Sequence, residues 1–134
     1  MRLVLRLTAG LLAAGGGCAR EPHADPAALA AACRTLRVLP DAPAAPGPAF
    51  TWDRGCPAVG LSIYRGGDIV WAIGSPAGLR PPVRYGVAPA GAVNQAGPAP
   101  LERGVAHSAR LEYVEREYEG REDLILASPV DFVP

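Results

Sequence analysis

From residue 49 onward the chain is a series of short apolar runs separated by glycine and proline turn signals, and that punctuation leaves room for little except β-structure. Phe50-Thr51-Trp52 reads as a short strand and Asp53-Arg54-Gly55 as a turn. Val59, Leu61 and Ile63 then alternate with Gly60, Ser62 and Tyr64. Gly66-Gly67 is a two-residue hairpin signal, and Ile69 to Ile73 returns from it. Residues 76–82 break the chain, Val83 to Val87 supply another strand, and residues 88–100 read as a long loop. Strands at about 105–116 and 124–132 bring the set to about six. Short strands at this spacing argue for a mostly β fold, a small antiparallel β-sandwich or an open barrel. A chain of 134 residues suits one such domain.

The hairpin poses a specific problem. With Gly66-Gly67 in the turn, Arg65 faces Asp68, Ile63 faces Val70 and Ser62 faces Trp71. One face then holds Val59, Leu61, Ile63, Val70 and Ala72, and the other holds Tyr64, Ile69, Trp71 and Ile73. Both are apolar, whereas an antiparallel pair with one wet face should alternate polar and apolar. Three arrangements would resolve this: a cover over the second face, a register slip or bulge, or an exposed partner surface made of Tyr64, Ile69 and Trp71. A helix upstream is expected to supply a cover.

That helix is signalled at about 26–38. Asp25 can cap it and Pro26 suits its first position, while Leu29, Ala32, Cys33 and Leu36 share one face. Pro40 ends it, and 41–48 is a proline-stiffened linker. Ahead of the helix, Arg2 and Arg6, an apolar run from Leu7 to Ala14 and Gly15-Gly16-Gly17 have the three-part layout of a secretory signal peptide. The run is too short for a transmembrane helix. The domains expected are therefore a signal peptide over 1–17, a tether, helix and linker over 18–48, and a β-sandwich over 49–134. In an exported chain, Cys33 and Cys56 are expected to form a disulfide.

Cys18, directly after the small residues, resembles the lipobox cysteine of bacterial lipoproteins, whose thiol is acylated and becomes the mature N-terminus. The resemblance implies a membrane anchor at Cys18 and a cell-envelope location, outer membrane facing the periplasm. Gly15 stands where that family carries Leu, Val or Ile, so ordinary signal cleavage is the alternative. Further along, Phe50-Thr51-Trp52 resembles the apolar-x-Trp of the second strand of fibronectin type III domains. Leu101-Glu-Arg-Gly104-Val-Ala-His107 resembles their corner before the sixth strand, with His107 where they carry tyrosine. The resemblance implies a fibronectin type III-like sandwich over 49–134.

No catalytic set assembles from the sequence. All 13 cations are arginine, which removes lysine chemistry, and 13 carboxylates balance them, so no basic footprint for nucleic acid exists. Cleavage before Cys18 leaves 11 arginines against 13 carboxylates, a formal charge of −2. His107 and Ser108 are neighbours, which on a strand puts them on opposite faces and apart as a nucleophile–base pair. No metal-ligand spacing is present, and no cofactor is implied. Glu112, Glu115, Glu117, Glu119, Glu122 and Asp123 read as a solvated hairpin end rather than an acid/base pair. The function expected is that of a non-catalytic envelope protein with an envelope protein or a glycan as partner. The alternative is a carbohydrate-binding module or small hydrolase with Trp52, Trp71 and Tyr64 as a sugar platform.

Overall fold

The computed structural model describes residues 25–41, 47–118 and 120–134, together with the backbone but not the side chains of 117 and 118. The signal segment, Cys18, the tether and most of the proline-rich linker lie outside these residues. The described chain is mostly β, with two antiparallel sheets packed as a sandwich and one short helix, as the punctuation of the sequence dictates. The smaller sheet has the order β1 (Arg37–Leu39), β2 (Ala49–Thr51), β5 (Val83–Arg84). The larger sheet runs β6 (Val93–Ala96), β4 (Asp68–Gly74), β3 (Ala58–Arg65), β7 (His107–Tyr118), β8 (Arg121–Leu126). β9 (Val130–Phe132) pairs the first residues of β7, on a separate stretch from β8.

The helix, α1 (Pro26–Cys33), starts where the sequence says and stops five residues early. Asp25 caps it by accepting from the Ala27 N–H at 3.1 Å, and Pro26 occupies the first turn. Thr35 ends it, because its hydroxyl donates to the Ala32 carbonyl at 2.6 Å and accepts from the Asp53 N–H at 2.7 Å. Side-chain bonds of this type compete with helix propagation. Leu36 then turns into the core, and Arg37 to Leu39 pair with Thr51 to Ala49. The first strand of the sandwich therefore lies inside what the apolar spacing marks as helix. Two further strands depart from the expected set. β6 forms within the 88–100 loop, and Ser128-Pro129 divide the expected 124–132 strand into β8 and β9.

The doubly apolar hairpin is resolved by a bulge. Arg65 pairs Asp68 and Tyr64 pairs Ile69, as two-residue turn geometry requires, but Ile63 pairs Trp71 and not Val70. Val70 is the extra residue. Beyond it every side chain of β4 changes face, so Trp71 and Ile73 join Leu61 and Ile63 on the core side. All four are fully buried. Ile69, before the bulge, remains outside and 49% exposed.

The bulge also frees a carbonyl from the ladder, and the chain supplies partners for it. The Val70 oxygen accepts from the Ala99 N–H at 2.8 Å and lies 3.5 Å from the Tyr85 hydroxyl. That hydroxyl donates to the Ala99 carbonyl at 2.5 Å, and its ring meets Trp71 edge-on at 5.1 Å. Gly97 is required here. Its φ is +66°, and a Cβ would stand 2.2 Å from the Val70 oxygen.

Trp71 is thus covered by Tyr85 and the segment from Asn94 to Ala99, not by the helix. The helix packs against β7, and Ala32 lies beside Gly55. Cys33 and Cys56 are joined as expected, with Cα atoms 4.8 Å apart and both residues buried. Closing a loop of this size stabilises a small domain by about 3 kcal/mol in the chain-entropy model. Replacing both cysteines with serine should lower the unfolding free energy by about that amount in urea titrations under oxidising conditions. Gly97→Ala should cost about 3 kcal/mol in the same assay, because it adds left-handed strain to a backbone collision.

Candidate functional site

The three residues singled out as a partner surface are not brought together. Tyr64 and Ile69 lie on the outer face of the larger sheet, while Trp71 is wholly buried on the inner face with its indole N–H donating to the Asn94 amide oxygen at 2.9 Å. Trp52 is buried as well, so Trp52, Trp71 and Tyr64 do not make a shared platform for a sugar ring.

His107 sits at the start of β7, fully buried and stacked on Phe132 at 5.6 Å. Its Nδ1 lies 2.8 Å from the Val105 carbonyl. A carbonyl only accepts, so Nδ1 carries the proton, and the ring ties the corner to backbone two residues upstream. The corner tyrosine of this kind of sandwich makes a comparable tie through its hydroxyl. Nε2 is buried without a partner. Ser108 lies on the opposite, half-buried side of the strand, as the alternation of strand side chains requires. The β7–β8 hairpin turns at Gly120, and Arg116, Arg121, Glu122 and Asp123 are exposed around it. The side chains of Glu117 and Glu119 lie outside the described residues. Among the described residues no group of three or more His, Cys, Asp or Glu side chains is placed to hold a metal ion, and no helix is long and apolar enough to cross a membrane.

What the fold does assemble is a groove on the outer face of the larger sheet. Gly60 and Gly74 face each other across β3 and β4, and Gly74 pairs Val93 on the far side. The missing side chains leave a trough of about 360 Å³ walled by Val59, Val93 and Leu124, with Pro76 at one end. Val93 is 65% exposed and Leu124 50% exposed. Gln95 lies over Gly74, its amide nitrogen 2.5 Å from where a Cβ would stand, and Glu112 lies against Gly60. Ser75 and Glu122 complete the lining.

Two of these side chains owe their direction to bulges. Val59 is an extra residue between the Ala58–Tyr113 and Gly60–Glu112 pairs, and Gln95 is an extra residue between Ala72–Ala96 and Ile73–Asn94. Bulges re-aim side chains and concentrate next to functional sites. A larger space of about 700 Å³ lies between the edges of β1 and β9, lined by Leu36, Val38 and Phe132 with Arg37 and Asp131 at its rim. It runs up to Asp41, beyond which the linker is outside the described residues.

Sequence reasoning placed none of the groove. Its one legible signal is glycine inside strands at 60 and 74, which marks a bulge or a close approach of another group. Comparison of the chain with protein-family models, with curated proteins and with solved structures finds no match.

Burial holds the Tyr85 phenol above its ordinary value of about 10.0. The folded state therefore binds that proton more tightly than the unfolded state. The resulting stabilisation is fully present below pH 10 and is lost as the pH rises through the raised folded value. Tyr85→Phe should cost about 1 kcal/mol near neutrality, through loss of the hydrogen bond to Ala99. The stability gap between parent and variant should narrow in urea titrations above pH 10. A gap that stays constant across that range would show that the phenol titrates alike in both states.

Proposed function

We propose that this chain is an exported, lipid-anchored protein of the cell envelope, attached through Cys18, whose β-sandwich binds a partner and performs no catalysis. The observation that carries the reading is the buried Cys33–Cys56 disulfide in a chain whose first eighteen residues have the layout of a lipoprotein signal. Disulfides persist in oxidising compartments, and an export signal supplies one. Two or three acyl chains on Cys18 would make a stable anchor at the outer membrane, facing the periplasm.

The order of the sheets supports the fibronectin type III-like reading of the domain. The first, second and fifth strands share one sheet, and the third, seventh and eighth share the other beside the fourth. Immunoglobulin-like sandwiches likewise keep their first two strands in one sheet and their third in the other, beside a late strand. The loops and outer faces of such sandwiches carry function while the core positions them. On this reading the partner meets the outer face of the larger sheet, where Ile69, Val93, Leu124 and Leu126 are about half exposed or more.

The anchor is tested on the protein itself. Fatty-acid labelling of cells expressing the full chain should label the parent and leave Cys18→Ala unlabelled, and mass spectrometry of the mature N-terminus should find acylated Cys18. An unmodified terminus at Ala19 or beyond would overturn the anchor and leave a freely exported domain.

A further inference from the structure

The groove on the outer face combines apolar walls with two carboxylates, and Arg110 shares the outer face of β7 two residues from Glu112 without lining the groove. Glu112 and Glu122 both line it, no arginine does, and neither carboxylate takes part in an ion pair among the described residues. Glu112 is half-buried against Gly60. Low-dielectric walls around a single sign of charge focus its field on the space between them. An aliphatic stem fits against Val59, Val93 and Leu124, and a cationic head at its end would meet the two carboxylates. Arginine and lysine side chains have that build, laying their methylenes on apolar surface while the head stays polar. The Gln95 amide, aimed over Gly74 by its bulge, adds a neutral hydrogen-bonding group beside the same space.

We propose that this groove receives an arginine or lysine side chain from an extended segment of a partner protein. The stem would pack on Val59 and Leu124, and Glu112 and Glu122 would bind the head. The proposal deepens the partner-binding reading above and rests on it. It commits to a basic peptide, and an acidic or purely apolar partner would require a different surface.

The test uses the purified mature protein, labelled with nitrogen-15 and titrated with the peptide acetyl-Ala-Leu-Arg-Leu-Ala-amide. A peptide with glutamate in place of arginine serves as the control. Amide shifts should gather at Val59, Gly74, Gln95 and Glu112 with the arginine peptide only, and binding should weaken as salt is raised. The double variant Glu112→Gln, Glu122→Gln should bind about ten-fold more weakly, about 1.4 kcal/mol. Glu102→Gln, which removes an exposed carboxylate paired with Arg65 outside the groove, should bind as the parent does. The proposal is overturned by equal binding of both peptides, by shifts that map to another face, by no shifts at all, or by undiminished binding of a folded double variant. Acylation of Cys18 is read separately, so failure of the groove and failure of the anchor cannot be confused.

Discussion

The carbonyl of Val70 is the point on which the larger sheet depends. A hairpin with Gly66-Gly67 in the turn and regular pairing throughout would divide its large apolar side chains between two faces. One extra residue at Val70 brings Leu61, Ile63, Trp71 and Ile73 onto a single face, and each is then fully buried. Burying side chains of that size stabilises by about 2 kcal/mol apiece. The bulge has a cost, since it releases a buried carbonyl from the ladder, and an unpaired one would lose about 1–3 kcal/mol. The Ala99 N–H answers it, and Tyr85 fixes Ala99 in turn. The loop from 88 to 100 is therefore part of the core's construction.

A second constraint acts at the other sheet. Its strands are two and three residues long, too short to hold together by pairing alone. They are secured from outside the ladder. The disulfide ties α1 to the turn after β2, Thr35 bridges the end of the helix to Asp53, and Arg84 donates to the Gly47 carbonyl at 3.0 Å. Phe50 from β2 meets Phe132 from β9 edge-on at 5.6 Å, and Phe132 stacks on His107. Covalent and aromatic ties across the sandwich thus replace hydrogen bonds that the small sheet lacks.

These ties explain which features were legible in the sequence. The mostly β class and the positions of β2, β3, β4, β5 and β7 followed from glycine and proline punctuation, because turn chemistry is local. The disulfide was legible because only two cysteines remain beyond the signal. The start of α1 was legible from Asp25 and Pro26, and its end was not, because Leu36 keeps helical spacing while Thr35 bonds to Asp53, far along the chain. The two-faced hairpin signals a cover, a slip or bulge, or a partner surface, and nothing local to it places a bulge at Val70. What selects the bulge is a partner some thirty residues downstream, at Ala99, that no local pattern announces. The groove was invisible for the same reason, since Val59 and Gln95 reach it only through bulges set by pairing with other strands.

Those bulges also decide where on the molecule a partner would meet it. Val59 and Ser75 are bonded across the same end of the larger sheet, the Val59 carbonyl accepting from the Ser75 N–H at 2.8 Å. Ala58 follows the disulfide turn at Cys56 closely, and Cys56 holds the last residue of α1. The groove therefore adjoins the start of β3, the part of the larger sheet that the disulfide ties to the last residue of α1. On the lipid-anchored reading, the seven residue steps from Cys18 to Asp25 span at most about 25 Å. A domain so tethered stays near the bilayer surface, and a segment entering the groove must reach that depth. A partner held in the same membrane, or lying close against it, meets this condition at a high effective concentration, whereas a soluble partner gains nothing from the tether.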